Sequence, residues 1–220
     1  MRAIAVFPAS REVKLIEQEE PVITQPDQAK LRMLEIGICG TDKEICTFVY
    51  GAPPAGSDYL VIGHEALGEV IEVGPAVTQL APGDLVVPTV RRPCSHAWCR
   101  SCRAGHQDFC ETGDFTERGI KGAHGYMTEF VVDDVQYMNP VPRNLREVAV
   151  LVEPLTIAKK AEAQLYGLMQ RRPPWIDPTT PERTQGRGRK ALVVGAGPVG
   201  LLGAMALRLA EFETFGRAPK

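Results

Sequence analysis

The sequence predicts an α/β (α+β) chain in which a β-rich, barrel-like first part leads into the opening of a second, parallel-sheet α/β part. Three observations carry this. Short strand-like runs, punctuated by Pro and Gly, recur through the first 132 residues. From Asn144 the apolar spacing turns helical. Near the end, a buried-strand run, Lys190–Val194, enters a glycine-rich turn and then a new helical pattern.

Taken in order, Arg2–Phe7, Val13–Glu17 and Lys30–Ile36 read as strands, separated at Pro8, Pro21 and Pro26-Asp27. Residues 43–60 are loop-rich. Gly68–Val73 and Leu85–Val87 are further strands, with Pro82-Gly83-Asp84 as the turn between them. Closely spaced short strands of this kind favour a compact barrel. Residues 91–124 form a Cys-, Gly- and Arg-rich excursion with little regular structure expected, and Gly125–Val132 returns to strand character. Glu147–Glu153 is a first apolar helical segment, ending near Pro154. Thr156 is the expected cap of a second helix to about Gln170, with Ile157, Ala161, Leu165 and Leu168 on one face. Arg171–Arg189 reads as a surface loop or linker. The organisation expected is therefore 1–153, with a cysteine lobe at about 91–115, followed by 154–220.

Composition narrows the function classes. The chain has 220 residues, 44% hydrophobic and 24% charged, with a formal net charge of -2. That balance offers no general attraction to nucleic acid or to an anionic membrane surface. No apolar run approaches the roughly 20 residues that span a bilayer, and the first residues are too interrupted for a secretory signal. A cytoplasmic protein is expected. Four of the six cysteines crowd into residues 94–110, which in such a protein points to metal rather than disulfides.

Two cysteine patterns carry chemistry. Cys39-Gly40-Thr41-Asp42 follows a strand, and Gly63-His64-Glu65 comes shortly after. Together they offer a thiolate, an imidazole and a carboxylate, and three such donors with one open position make a catalytic zinc site. Cys94, Cys99, Cys102 and Cys110 give Cys-x4-Cys-x2-Cys-x7-Cys, enough thiolates to close a tetrahedron and order a loop without a core of its own. His96 is an alternative to Cys94 as the fourth ligand, although thiolate suits a closed structural site.

The second part is marked by Gly195-Ala196-Gly197-Pro198-Val199-Gly200, between a strand and a helix. In that context G-x-G-x-x-G binds a dinucleotide: Gly195 makes the turn, Gly197 lets a pyrophosphate approach and Gly200 lets helix and strand pack. Pro198 suits the first helical turn, and with Val199 completes the phosphate-facing segment. Phe212–Phe215 begins a second strand, and Gly216-Arg217 stands where an acidic ribose partner is usual. A nucleotide domain needs several more strands and helices, so this chain is expected to be the first portion of a longer enzyme.

The motif order resembles the zinc-dependent medium-chain dehydrogenases/reductases, the alcohol dehydrogenase-like family. Val73-Gly74-Pro75-Ala76-Val77 and Pro82-Gly83-Asp84 add to it. Within that family the chain is most similar to the glucose (aldose) 1-dehydrogenases, through Arg91-Arg92-Pro93, Asp108–Asp114, Glu117–Gly122 and Val152–Leu155. The resemblance implies a GroES-like β-barrel catalytic domain followed by the incomplete start of a Rossmann NAD(P)-binding domain. The chain departs from the family in having x4 rather than x2 between its first two lobe cysteines.

The resemblance also implies roles. Cys39 and His64 are zinc ligands, with the third contact shifting between Glu65 and Glu153. Thr41 relays the substrate proton, Asp42 supports His64 or the loop, and Asp114 and Glu153 hold sugar hydroxyls. Two zinc ions per chain and NAD or NADP are the expected cofactors. The implied reaction oxidises C1 of an aldose such as D-glucose to the lactone. A polyol, threonine or secondary alcohol is the alternative substrate, and a non-catalytic zinc-binding fragment is the alternative of another class. No nucleic-acid or membrane partner is expected, and the whole enzyme is expected to be a homo-oligomer, dimer or tetramer.

Overall fold

A computed structural model describes residues 1–169 and 186–218. It divides into two compact units, Met1–Leu151 and Val152–Lys220. The first unit opens with β1 (Arg2–Phe7), β2 (Glu12–Glu17) and β3 (Gln28–Gly37), then helix α1 (Gly40–Cys46). β4 (Leu60–Val61), β5 (Glu65–Val73), β6 (Leu85–Pro88) and β7 (Arg91–Arg92) follow. After the short helix α2 (Arg100–Arg103) come β8 (Thr116–Arg118), β9 (Gly122–Ala123), β10 (Phe130–Asp134) and β11 (Met138–Val141). Regular structure thus enters the cysteine excursion, where little was expected. The strand expected from Gly125 begins only at Phe130, because the Met127 N–H is spent on the Ile62 carbonyl, at 2.9 Å.

Among the described residues the strands of the first unit form separate sheets rather than one closed ring: β2-β1-β4, β10-β3-β5-β6-β11, and β7-β8-β9 flanking the lobe. The five-stranded sheet holds the main core, in which Leu31, Val70 and Val86 are fully buried against Leu80 and Met138. Each such side chain contributes about 1.5–3 kcal/mol of transfer free energy. A second cluster, of Val6, Ile45, Leu60 and Ile62, fixes α1 against β1 and β4.

The antiparallel β3–β5 pair positions the site. Its register runs from Ala29 opposite Val73 to Gly37 opposite Glu65, with irregularities at Lys30/Leu31 and Met33/Glu35. The chain therefore leaves β3 two residues before Cys39 at the same sheet end where it enters β5 one residue after His64. α1 ends in a turn whose Phe48 adopts a φ of 63°. Its N–H and that of Val49 close on the carbonyls of Ile45 and Glu44, the pattern that more often carries glycine.

A 3-10 run, Arg143–Leu151, precedes the second unit. There α3 (Val152–Met169) is continuous, contrary to the break expected at Pro154. Proline is tolerated in a first helical turn, where its missing N–H has no partner to lose. Thr156 does not cap; its hydroxyl donates back to the Glu153 carbonyl, at 2.6 Å. The expected apolar face is not buried: Ile157 is 52% and Leu168 64% exposed, whereas Pro154 and Glu162 are buried. Gln170 and most of the expected linker, 170–185, lie outside the described residues. β12 (Lys190–Val194), α4 (Pro198–Leu209) and β13 (Glu213–Arg217) then form a βαβ unit whose two strands run parallel. Leu192, Met205 and Leu209 stay largely exposed, Leu209 at 86%. Among the described residues no helix is long and apolar enough to cross a membrane.

Candidate metal centre

Cys39 serves as the N-cap of α1. Its Sγ accepts the Thr41 N–H at 3.3 Å, while the Asp42 carboxylate accepts the Cys39 N–H at 2.9 Å. This is a capping box in which sulfur replaces the usual hydroxyl. The sequence Cys-Gly-Thr-Asp therefore both starts a helix and points a thiol at its positive end, which favours the thiolate.

His64 completes the pair. Its Nε2 lies 3.0 Å from Cys39 Sγ. Its Nδ1 lies 3.4 Å from Asp42 Oδ1, and both of these atoms are buried and otherwise without a hydrogen-bond partner. A carboxylate oxygen facing Nδ1 requires the proton there, which leaves the Nε2 lone pair free for a metal. The Glu65 carboxylate joins them, so that one donor atom from each of Cys39, His64 and Glu65 lies within 4.8 Å of the others.

Electrostatics agree with a site built for a cation. Burial works against a charged His64, but the Asp42 carboxylate and the Cys39 sulfur outweigh it and push the imidazole up to about 10. Burial raises the Cys39 thiol, yet the hydrogen bonds from His64 and Thr41 hold it below its ordinary value. Asp42 is likewise desolvated, and His64 and the Cys39 N–H bring it below the usual carboxylate range. Glu65 is pushed up, first by burial and then by the Asp42 charge, against the pull of His64. In the metal-free chain a proton on His64 takes the place of a cation between these anionic groups. One thiolate, one imidazole and one carboxylate suit zinc.

The lobe brings its four thiols together. Cys94, Cys99, Cys102 and Cys110 place their sulfurs within 4.8 Å of one another, and none is in a disulfide. Cys99 caps α2, Cys102 lies one turn on, and Cys110 follows a 3-10 turn, Gln107–Phe109. Without an ion their charges cannot be equal. Cys110 is held down by the Thr112 hydroxyl, whereas burial pushes Cys102 up. His96 is not among these donors; its Nε2 meets Asp114 Oδ2 at 2.6 Å. At the end of the lobe the Phe115 ring is met by the Arg91 guanidinium and the Lys121 ammonium, each 4.2 Å from its centre. Four thiols at this spacing fit a closed structural zinc site.

Other expected site residues are placed as follows. Thr41 lies within α1 beside Cys39, half-buried. Asp114 follows the lobe and is held by His96. Glu153 belongs to the second unit, in the first turn of α3. In that unit Gly195, with φ +127°, makes the turn after β12, and its N–H donates to the Arg217 carbonyl at 3.0 Å. A β-carbon on Gly200 would come within 2.3 Å of the Gly195 carbonyl oxygen. Gly197 caps α4 without a side-chain bond, Pro198 is its first residue and Val199 its second. No N-cap side chain therefore covers the first-turn N–H groups of α4.

Sequence reasoning missed two residues behind His64. A β-carbon on Gly119 or Gly125 would lie 2.3 or 2.4 Å from the Gly63 carbonyl oxygen. That oxygen also accepts the Tyr126 N–H, at 2.9 Å. In sequence Gly119 lies within the Glu117–Gly122 motif and Gly125 at the head of an expected strand, and only the long-range approach to Gly63 shows why each lacks a β-carbon.

The family described as "Alcohol dehydrogenase GroES-like domain" matches residues 25–143. A Glucose 1-dehydrogenase of Methanocella arvoryzae is 46% identical over 211 residues, 94% of this chain and 54% of that protein. One of Thermoproteus tenax is 43% identical over 213 residues, 95% of this chain and 55% of that protein. Among solved structures, Haloferax mediterranei glucose dehydrogenase in complex with NADP, Zn and gluconolactone matches with a TM-score of 0.81 and 34% identity, covering 98% of this chain and 57% of that one. The chain spans about half the length of the curated relatives it matches. The strand pair that joins Cys39 to His64 lies inside the matched region, and the chain belongs to the alcohol dehydrogenase GroES-like domain family.

Proposed function

We propose that this chain carries the metal-binding and substrate-binding part of an NADP-linked oxidoreductase that oxidises C1 of an aldose such as D-glucose to the lactone. The observation that carries the reading is the approach of Cys39 Sγ to His64 Nε2, with Glu65 beside them. Zinc held by these donors supplies a Lewis acid that makes a sugar hydroxyl more acidic. Asp42 keeps the proton on His64 Nδ1 and so fixes which nitrogen faces the metal. Thr41 takes up the hydroxyl proton and passes it outward. Asp114 and Glu153 are the carboxylates assigned to the remaining sugar hydroxyls. A nicotinamide bound in the second unit would supply the hydride acceptor for the C1 hydrogen, the C1–O bond becoming the lactone carbonyl.

Two features support the cofactor assignment. The uncapped start of α4 suits a pyrophosphate. Arg217, at the end of β13, stands where an acidic residue would hold a ribose hydroxyl, and a guanidinium there suits a 2′-phosphate. A structural zinc in the lobe brings the total to two per chain. The whole enzyme is a homo-oligomer on this reading.

The test is to extend the chain with the C-terminal part of the Methanocella arvoryzae relative and follow NADPH formation with D-glucose. Turnover abolished by Cys39→Ser supports the reading; turnover unchanged by it overturns the assignment.

A further inference from the structure

We propose that Gly37 is a positioning residue for the metal centre: by lacking a β-carbon it leaves the gap into which the Glu65 side chain folds, and so decides whether the centre presents three protein donors or two. The inference rests on the zinc reading above and adds to it a residue that binds nothing itself.

Gly37 and Glu65 are the terminal partners of the β3–β5 register. Directly opposed residues in an antiparallel pair normally keep their β-carbons about 4.5–5.5 Å apart. Here a β-carbon built on Gly37 would lie 2.9 Å from Glu65 Cβ, 3.3 Å from its Cδ and 2.2 Å from Oε2. The Glu65 side chain therefore lies across the face of Gly37, and its carboxylate occupies space that any other residue would fill. Backbone conformation is not the reason for glycine: Gly37 is absent from the positive-φ positions. The need is for room.

The register shift between Met33 and Glu35 sets which residue faces Glu65. Without it, Ile36 would be the opposing residue, and a branched side chain would fill the gap. Irregularities of this kind re-aim side chains near functional sites. The carboxylate, once displaced, cannot keep its place within 4.8 Å of both Cys39 Sγ and the His64 ring, because the methyl group of an alanine occupies that path.

The experiment measures zinc affinity of the 220-residue chain by competition with a chromogenic chelator. Thermal unfolding and retention of the lobe zinc serve as fold controls. Gly37→Ala is expected to weaken the Cys39–His64 site about 10- to 100-fold, the range seen when a support of a metal ligand is lost, and to leave the lobe ion bound. Glu65→Gly is expected to weaken the site similarly. The double variant Gly37→Ala/Glu65→Gly is expected to match either single variant, since both act through one carboxylate. Wild-type affinity in Gly37→Ala, or losses that add in the double variant, would overturn the proposal. Should Gly37→Ala fail to fold, a double variant that folds with the affinity of Glu65→Gly supports the collision, and one that also fails to fold overturns it. Wild-type affinity in Glu65→Gly, with one ion lost in Cys39→Ser, would overturn this inference and leave the Cys39–His64 site standing. Two ions retained in Cys39→Ser would remove the zinc reading itself.

Discussion

Replacing Asp42 by asparagine separates the two tasks of this carboxylate. One oxygen caps α1 by accepting the Cys39 N–H at 2.9 Å, and the other faces His64 Nδ1 at 3.4 Å. In Asp42→Asn the side-chain carbonyl can keep the first bond. The new amide group then faces His64 and donates, so Nδ1 must accept and the ring proton moves to Nε2, the atom beside Cys39 Sγ. That tautomer cannot bind a metal through Nε2. Loss of an outer partner to a histidine ligand costs about 10- to 100-fold in metal affinity, or roughly 1.4–2.7 kcal/mol. The helix should suffer less: Asp42→Ala forfeits the cap bond at about 1 kcal/mol, whereas Asp42→Asn retains it. Chelator competition should therefore rank wild type above both variants in zinc affinity, and urea unfolding of the metal-free chain should place Asp42→Asn above Asp42→Ala. Wild-type zinc affinity in Asp42→Asn would refute the tautomer argument.

Three further outcomes are expected. Stripping the metal should expose the lobe to trypsin at Arg100 and Arg103, both in α2 between thiols; cleavage at the same rate with and without zinc would show that the lobe is not ordered by metal. In the metal-free chain, His64 is raised from 6.5 to about 10, so its stabilising contribution is complete below pH 6.5 and fades as pH rises through about 10. Urea midpoints should accordingly fall more steeply between about pH 7 and 10 in wild type than in His64→Asn, and parallel profiles would count against the Asp42–His64–Cys39 arrangement. In the extended chain, Arg217→Gln should raise KM for NADP by roughly 10- to 100-fold, the equivalent of about 1.5–3 kcal/mol for a hydrogen bond to a charged group, with little change for NAD; equal effects on both cofactors would contradict a 2′-phosphate contact.

Much of the site was legible because its chemistry is local. Cys39-Gly40-Thr41-Asp42 was legible as a ligand motif, but the same residues form a capping box that starts α1, a helix running into the 43–60 stretch that reads as loop. The four lobe thiols and the turn at Gly195 are likewise short-range patterns. What escaped the sequence depends on distant contacts. Gly119 and Gly125 matter only through the Gly63 carbonyl, and Gly37 only through Glu65 on the next strand of the sheet, in a register set by an irregularity that leaves no residue signature. Strand ends and helix starts near proline were misplaced for a related reason. Pro154 reads as a terminator, yet in the first turn of α3 it costs no hydrogen bond. The apolar stripe on Ile157 and Leu168 predicted a buried face that the described residues do not cover.

Native mass spectrometry of zinc-loaded wild type and Cys39→Ser tests the central claim most directly, because it counts ions without requiring turnover. Two zinc ions on the wild-type chain and one on the variant are predicted, with the remaining ion lost on Cys102→Ser in the same background. A wild-type chain that holds only the lobe ion, or a Cys39→Ser chain that still holds two, would contradict a metal centre built from Cys39, His64 and Glu65.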